Sequence, residues 1–358
     1  MTFPGSDGTT PRGRRSTVVR LADVAREAQV STALASRVLN SDPSARATPE
    51  TKGRIIATAA RLGYVPNIAA RGLRVKRNGL LGLVVHDLSS PIHLDLMRGA
   101  RAEAAAHNSF LVLADVEELL HDEQAFKILI NGNRVDGLIV QGGQGEFDQR
   151  IAEIARVLPT VVVNAPSPID RVLNVYPDEL AAARLLTEHL VALRHRRIAL
   201  ISGPKESMTS SLREEGIRAV LAEHGLELRS EDCVYRDWSV AGGRDGLDEL
   251  VARWNAAGSR PTALVTGNSL IGIGVLGTAH KLGLTVPDNL SVAAIHDAWI
   301  NEHLVPSLTT VSLPLREMGV VAVRQLMSEP DVSSKIILSD PPPELHVRES
   351  TREAGVRP

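Results

Sequence analysis

Between residues 19 and 63 the apolar positions follow a helical period in three short segments. In "LADVAREA", Leu21, Val24, Ala25 and Ala28 fall at i, i+3, i+4 and i+7, which is one face of a helix. "AQV" breaks the pattern, and Ser31 then stands where its hydroxyl caps a second helix. On that helix Ala35, Val38 and Leu39 share a face with Leu34 at its border, while Thr32, Ala33, Ser36, Arg37 and Asn40 fall on the other side. A third helix is expected to have Thr48 as cap, Pro49 at its first position, Ile55, Ile56 and Ala59 inward, and Gly63 as its stop. A helix with small outward side chains and one guanidinium suits the DNA major groove, where arginine pairs bidentately with guanine. The pattern alone leaves open a small helical bundle with an ordinary surface.

From residue 79 the period changes. Short apolar runs, "LLGLVV", "FLVLA", "VDGLIV", "TVVVN", "RRIALIS", "TALVT" and "SVAAI", are separated by helical stretches such as "DLMRGARAEAAAH" and "DELAAARLLTEHLVAL". Nearly continuous β-branched runs with long crossovers imply parallel sheets covered by helices on both faces. Residues 79–358 exceed one such unit, so two doubly wound subdomains are expected.

Composition narrows the class. Aromatic residues make up 3% of the 358, so the cores must be built from Val, Leu, Ile and Ala. The single cysteine, Cys233, excludes a disulfide framework and a cysteine-based zinc site, and it suits a reducing, cytoplasmic setting. No apolar run approaches the ~20 residues that span a membrane. "MTFPGSDGTTPRGRRST" has no apolar core and reads as a disordered basic tail over residues 1–17, not a secretory signal. Residues 1–78 hold 14 Lys+Arg against 5 Asp+Glu, an excess of nine positive charges. With the whole chain at −2, the remainder carries −11. A basic head on an acidic body points to a polyanionic partner for the head.

The segments "LADVAREAQVSTALASRVLN" and "ATPETKGRIIATAARLGYVPNIAARGLR" closely resemble the head of the LacI/GalR family of bacterial transcriptional regulators. The likeness continues through "GLLGLVVHDLSSP", "RVDGLIV", "TEHLVALRHRRIALISGP", "LTTVSLP" and "ELHVREST". It implies an α/β chain: an all-α helix-turn-helix head over 18–64, a hinge over 65–78, and a core of periplasmic-binding-protein type over 79–358. In such a core the chain crosses between subdomains three times, expected here near Tyr176, near His303–Leu308 and near Asp340. The resemblance also implies a repressor that binds a palindromic operator as a homodimer and answers to a small-molecule effector: a sugar, a sugar acid or a related polar metabolite. No heptad pattern follows "HVREST", so no tetramerising coiled coil is expected there.

Carried over by position, Thr32 and Ala33 match the family's variable base-reading residues and Arg37 its groove arginine, while Ser31, Ser36 and Asn40 match phosphate contacts. Gln29 stands where the family usually has Gly, and Leu34 where it usually has a Thr that donates to phosphate. Pro66 and the residues after it read as a flexible linker, or as a hinge that becomes helical on operator DNA. In the second case Leu73 matches the leucine that wedges into a minor-groove step, with Asn67 and Ala70 as neighbouring groove-facing positions.

Ligands of open α/β sheets bind beyond the strand C-termini, and here two such edges face one another. The residues just after the strands are therefore candidates: His86, Asp87, Asn164, Asn268, His296 and Asp297. Arg213, three before Gly216, matches the family's ligand-binding arginine. Ile92 and His93 replace aromatics that commonly stack on a sugar, and His296 replaces the first of two paired acids. Arg213, His93 and His296 point to an anionic or polar non-hexose ligand. A secreted sugar-binding protein would not carry a DNA-binding head. An enzyme on the same fold is the other rival, but "QGGQGEF" and "GNSLIGIG" lack the spacing of phosphate or dinucleotide loops, and no HExxH or GxSxG occurs. No catalytic residue, metal or cofactor is expected.

Overall fold

The computed structural model describes residues 19–40, 42, 44–64, 78–131, 134–142, 146–166, 169, 172–328 and 334–355. The chain divides into two compact units, 1–76 and 77–358.

In the first unit, α1 (Leu21–Glu27), α2 (Thr32–Leu39) and α3 (Pro49–Leu62) close around Val24, Ala25, Ala28, Ala35, Val38 and Ile55. The caps follow from the sequence. Ser31 Oγ accepts from Leu34 N at 3.2 Å, Thr48 Oγ1 accepts from Thr51 N at 3.2 Å, and Gly63 ends α3 in the left-handed region. Ile56 departs from expectation and is 55% exposed. The buried stripe of α3 runs through Ile55, Thr58 and Ala59, and Ile56 lies about 100° round the helix from Ile55.

The second unit holds two six-stranded sheets. Strands β1 (Leu80–Val85), β2 (Phe110–Asp115), β3 (Gly137–Gln141), β4 (Thr160–Val163) and β5 (Leu173–Pro177) belong to the first. The second contains β6 (Ile198–Ser202), β7 (Cys233–Tyr235), β8 (Ala263–Thr266), β9 (Ser291–Ile295) and β10 (Thr309–Ser312). Then β11 (Lys335–Leu338) returns to the first sheet and β12 (Glu344–His346) to the second. The orders are β11-β5-β4-β3-β1-β2 and β12-β10-β9-β8-β6-β7. Every pairing is parallel except that of β12 with β10.

Both faces of both sheets are covered, as continuous apolar strands require. On the first sheet, α4 (Leu94–Ala106) and α12 (Leu315–Met327) bury one face, while α5 (Val116–His121), α6 (Glu123–Asn131) and α7 (Glu146–Ala155) bury the other. On the second, α8 (Glu179–Ala192) and α9 (Met208–Glu223) cover one face, and α10 (Val240–Ala257) and α11 (Ser269–Lys281) the other.

The chain passes between the subdomains at Asp178, at Leu313–Pro314 and within 339–343. The second passage lies beyond the expected His303–Leu308. Leu308 is buried in the second core and residues 309–312 pair as β10, so the chain leaves only when that strand ends. Among the described residues no helix is long and apolar enough to cross a membrane.

Helices α4 and α12 touch backbone to backbone. A Cβ at Gly99 would collide with the Arg316 carbonyl, and one at Gly319 with the Leu96 carbonyl. Gly319→Ala is expected to destabilise the core by about 1–3 kcal/mol, the usual cost of overpacking. Urea unfolding checks this, and a variant as stable as the parent would show that the two helices separate freely.

Candidate functional site

Two regions gather the polar residues singled out by sequence. The first is the outward face of α2. Thr32, Ala33 and Arg37 are exposed, while Ser36 and Asn40 are half-buried. Asn40 Nδ2 donates to the Ser36 carbonyl at 2.7 Å, so that amide is partly committed to ending the helix. Ser31 uses its oxygen as the cap of α2 and keeps its hydroxyl proton for another acceptor. Leu34 is half-buried against the small core, which explains an apolar residue where a hydroxyl is usual. Gln29 holds a left-handed φ of 52°, a conformation that favours glycine. Asn67, Ala70 and Leu73 lie outside the described residues.

The second region is a cavity of about 550 Å³ between the C-terminal edges of the two sheets. His86, Asp87 and His93 reach it after β1, and Asn164 after β4. From the other wall come Arg213 on α9, Asn268 after β8 and His296 after β9. Asp87, Asn164 and His296 all have positive φ, so the chain turns sharply where each strand delivers its residue.

Arg213 is only 1% exposed, and its donors are largely committed. Nε and Nη2 donate to the two Glu179 carboxylate oxygens at 2.7 and 2.9 Å, and Nη1 donates to the Gly267 carbonyl. The guanidinium carbon sits 5.4 Å from the centroid of Trp238. Burial pushes the Glu179 carboxyl up, and the Arg213 charge and hydrogen bonds pull it back. The expected cation on the cavity floor is therefore already neutralised by a buried partner.

That pair fixes a neighbour. Nη2 of Arg213 lies 3.1 Å from His296 Nε2. Because Nη2 can only donate, Nε2 must present its lone pair and the proton belongs on Nδ1. His296 Nδ1 is buried and has no partner among the described residues. Burial, then the charge of Arg213, holds the imidazole well below its usual pKa and keeps it neutral. On the opposite wall His93 Nε2 lies 2.8 Å from the His86 carbonyl and must donate, leaving Nδ1 as an acceptor. Burial lowers its pKa too, and pushes His86 down to about 4. None of the three histidines supplies a positive charge at neutral pH.

Asp297 does not line the cavity. Arg348 holds its two oxygens at 2.9 and 3.0 Å, with Thr310 Oγ1 donating at 2.6 Å and Asn301 Nδ2 at 3.1 Å. Burial raises its pKa, but these donors outweigh burial and hold the carboxyl below the usual range. The residue is a structural tie between β9, β10 and the C-terminal segment. Asn268 lines the cavity yet caps α11, with Oδ1 accepting from Ile271 N at 2.8 Å and Nδ2 donating to the Trp238 carbonyl at 3.0 Å.

Sequence reasoning missed Trp238 and Asp237, which follow β7, Asp115, which ends β2, and Glu117 and Glu118 in the first turn of α5. The rule that ligands meet residues beyond strand C-termini would have found them. "CVY" is too short to read as a strand, and the end of "FLVLAD" continues directly into α5. Glu179 carries no such signal, because its partner lies 34 residues away.

Comparison with known proteins joins the two regions. Residues 20–67 match the bacterial regulatory proteins of the lacI family, and residues 187–351 match the periplasmic binding protein-like domain. The chain is 29% identical to catabolite control protein A of Priestia megaterium over 341 residues, 93% of this chain and 99% of that protein. It is 32% identical to the crystal structure of a LacI family transcriptional regulator from Mycobacterium smegmatis, covering 76% of this chain and 99% of that one, with a TM-score of 0.69. The lac repressor dimer, solved with operator and the anti-inducer ONPF, is 25% identical with a TM-score of 0.75, covering 94% of this chain and 100% of that one. With both the helical head and the paired sheets matched, the chain belongs to the LacI family of bacterial transcriptional regulators.

Proposed function

We propose that the protein is a cytoplasmic, dimeric repressor that binds a palindromic operator and tunes its affinity through a small polar effector held in the cavity. The observation that carries this reading is the exposed face of α2, with Thr32, Ala33 and Arg37 on a capped helix-turn-helix. Thr32 and Ala33 read base edges, Arg37 pairs with a guanine, and Ser31, Ser36 and Asn40 meet phosphates. Asn67, Ala70 and Leu73 contact the minor groove from the hinge, with Leu73 as the wedge. Asp87, His93, Asn164, Arg213, Asn268 and His296 form the effector site. Asp297 acts on it only through the segment it anchors. Catalysis has no place in this reading: His189 and His195 hold the C-terminal segment, through Thr351 Oγ1 at 3.1 Å and the Arg352 carbonyl at 3.0 Å.

A second copy has a surface to cover. Strand β2 is one edge of the first sheet, and Phe110, Val112 and Leu113 stand exposed on it, Phe110 at 64%. An open edge with large apolar side chains is an aggregation hazard unless it is buried. Two heads on one dimer also match the symmetry of a palindrome.

Three outcomes test this reading. Selection from a random duplex pool should enrich a palindrome, and Arg37→Ala should lose about 1–3 kcal/mol on it, with relaxed preference at one position per half-site. Failure to enrich a palindrome would sink the regulator reading. Phe110→Asp should convert a dimer to monomers in sedimentation and weaken operator binding, because the two heads no longer act together. An unaltered sedimentation coefficient would place the interface elsewhere. Arg213→Ala should cost about 3–5 kcal/mol in urea unfolding by stranding Glu179, and adding Glu179→Leu should recover most of that loss. If Arg213→Ala unfolds like the parent, the buried pair does not support the cavity floor.

A further inference from the structure

The polar lining of the cavity has one sign. Asp87, Asp115, Glu117, Glu118 and Asp237 all contribute carboxylates. Arg213 is the only lysine or arginine lining it among the described residues, and Glu179 cancels its charge. The histidines are held neutral by burial. An anion placed there would meet these carboxylates and, among the described residues, no free cation. The carboxylates differ in accessibility. Asp115 is half-buried and accepts from the Leu88 and Glu117 amides at 3.1 and 2.8 Å. Asp87 is exposed, and its Oδ1 accepts from Ser89 N at 2.9 Å, which leaves Oδ2 open.

The second observation is the buried, unpartnered Nδ1–H of His296 on the cavity lining. The residue is 5% exposed and lines the cavity, so a partner for this donor has to come from that side. A buried donor without a partner is destabilising, and an oxygen of a bound molecule would satisfy it. Across the cavity, His93 Nδ1 keeps a lone pair, and the charges of Asp87 and Asp115 act on that ring. The walls therefore differ: an unpartnered donor and one carboxylate, Asp237, on the C-terminal subdomain, and an acceptor with four carboxylates on the N-terminal one.

We propose that the effector is a cation, an amine that also carries hydrogen-bond-accepting oxygens, which is the chemistry of an amino sugar. The ammonium lies between His93 Nδ1 and the carboxylates of Asp87 and Asp115, and an oxygen at the other end accepts from His296 Nδ1–H. The inference rests on the reading of this cavity as the effector site. It reverses the anionic ligand expected from Arg213, His93 and His296 as isolated residues.

Isothermal titration of the full chain with matched probes tests it. Glucosamine, galactosamine and mannosamine are each compared with the neutral hexose and the uronate of the same configuration. At least one amine is expected to bind tenfold or more tightly than its neutral partner, with affinity falling as salt rises, and the uronate is expected to give no heat. Asp87→Asn should lower the amine's affinity about tenfold and shrink its advantage over the neutral sugar. Asn suits the left-handed φ of 59° at that position, so the fold is kept. Asp115→Asn serves as the second variant. The proposal is overturned if no amine binds, if a neutral sugar or uronate binds as tightly as its amine, or if both variants keep the full preference. Operator binding by the same preparation separates the outcomes. Palindrome binding without an amine preference sinks only the ligand class, whereas failure to bind DNA sinks the regulator reading and leaves the titration to stand alone.

Discussion

A guanidinium that is almost wholly out of water needs an opposite charge within hydrogen-bonding reach, or its burial costs several kcal/mol. Arg213 finds that charge in Glu179, and much of the second subdomain is arranged around the pair. Glu179 is the first residue of α8, directly after the chain leaves the first sheet at Asp178. Asp178 caps that helix by accepting from Ala181 N at 2.9 Å, so the passage and the ion pair share one helical turn. Arg213 then reaches the ends of β8 and β9 through Gly267 and His296. One ion pair thus joins α8, α9 and two strand ends, orients Trp238 and decides which nitrogen of His296 carries its proton.

This arrangement makes the two walls unequal. On the C-terminal side two polar groups are spent: Asn268 caps a helix and Arg213 is paired. On the N-terminal side Asn164 has no side-chain partner among the described residues, and Asp87 is exposed at a turn. A ligand shifts a two-state equilibrium only through contacts that differ between the states. The committed wall supplies a fixed register, so differential contact must come chiefly from the open wall. The three passages at 178, 313–314 and 339–343 are the covalent links through which such a shift acts on subdomain angle.

Much of the architecture was legible because it is local. The caps at Ser31 and Thr48, the stop at Gly63 and the apolar stripes of α1 and α2 follow from residues within one or two turns. Seven of the strands show as apolar runs. The five that do not are β5, β7, β10, β11 and β12, which are short, polar or both; β10 is "TTVS" and β12 is "ELH". Their strand character comes from neighbours supplied by distant chain, which is also why the second passage was placed early. Ile56 failed for a related reason, since the helix phase over so few residues leaves the border of the buried face open to a one-residue error.

The site was legible by position but not by charge. The rule of strand C-termini brought five of its six candidates to the cavity and misplaced Asp297, which Arg348, 51 residues on, ties down. Electrostatic character depends on partners rather than on residue names. Arg213, His93 and His296 in a sequence suggest a cationic pocket. Once folded, desolvation discharges the histidines, Glu179 cancels the guanidinium, and carboxylates at the β2–α5 junction and after β7, which carried no signal, set the sign of the field. A buried ion pair of this kind contributes little net charge and little net stability, but it fixes donors and acceptors in one geometry. Its value to the cavity is orientation, and it leaves Nδ1–H of His296, Nδ1 of His93 and the second oxygen of Asp87 without protein partners among the described residues.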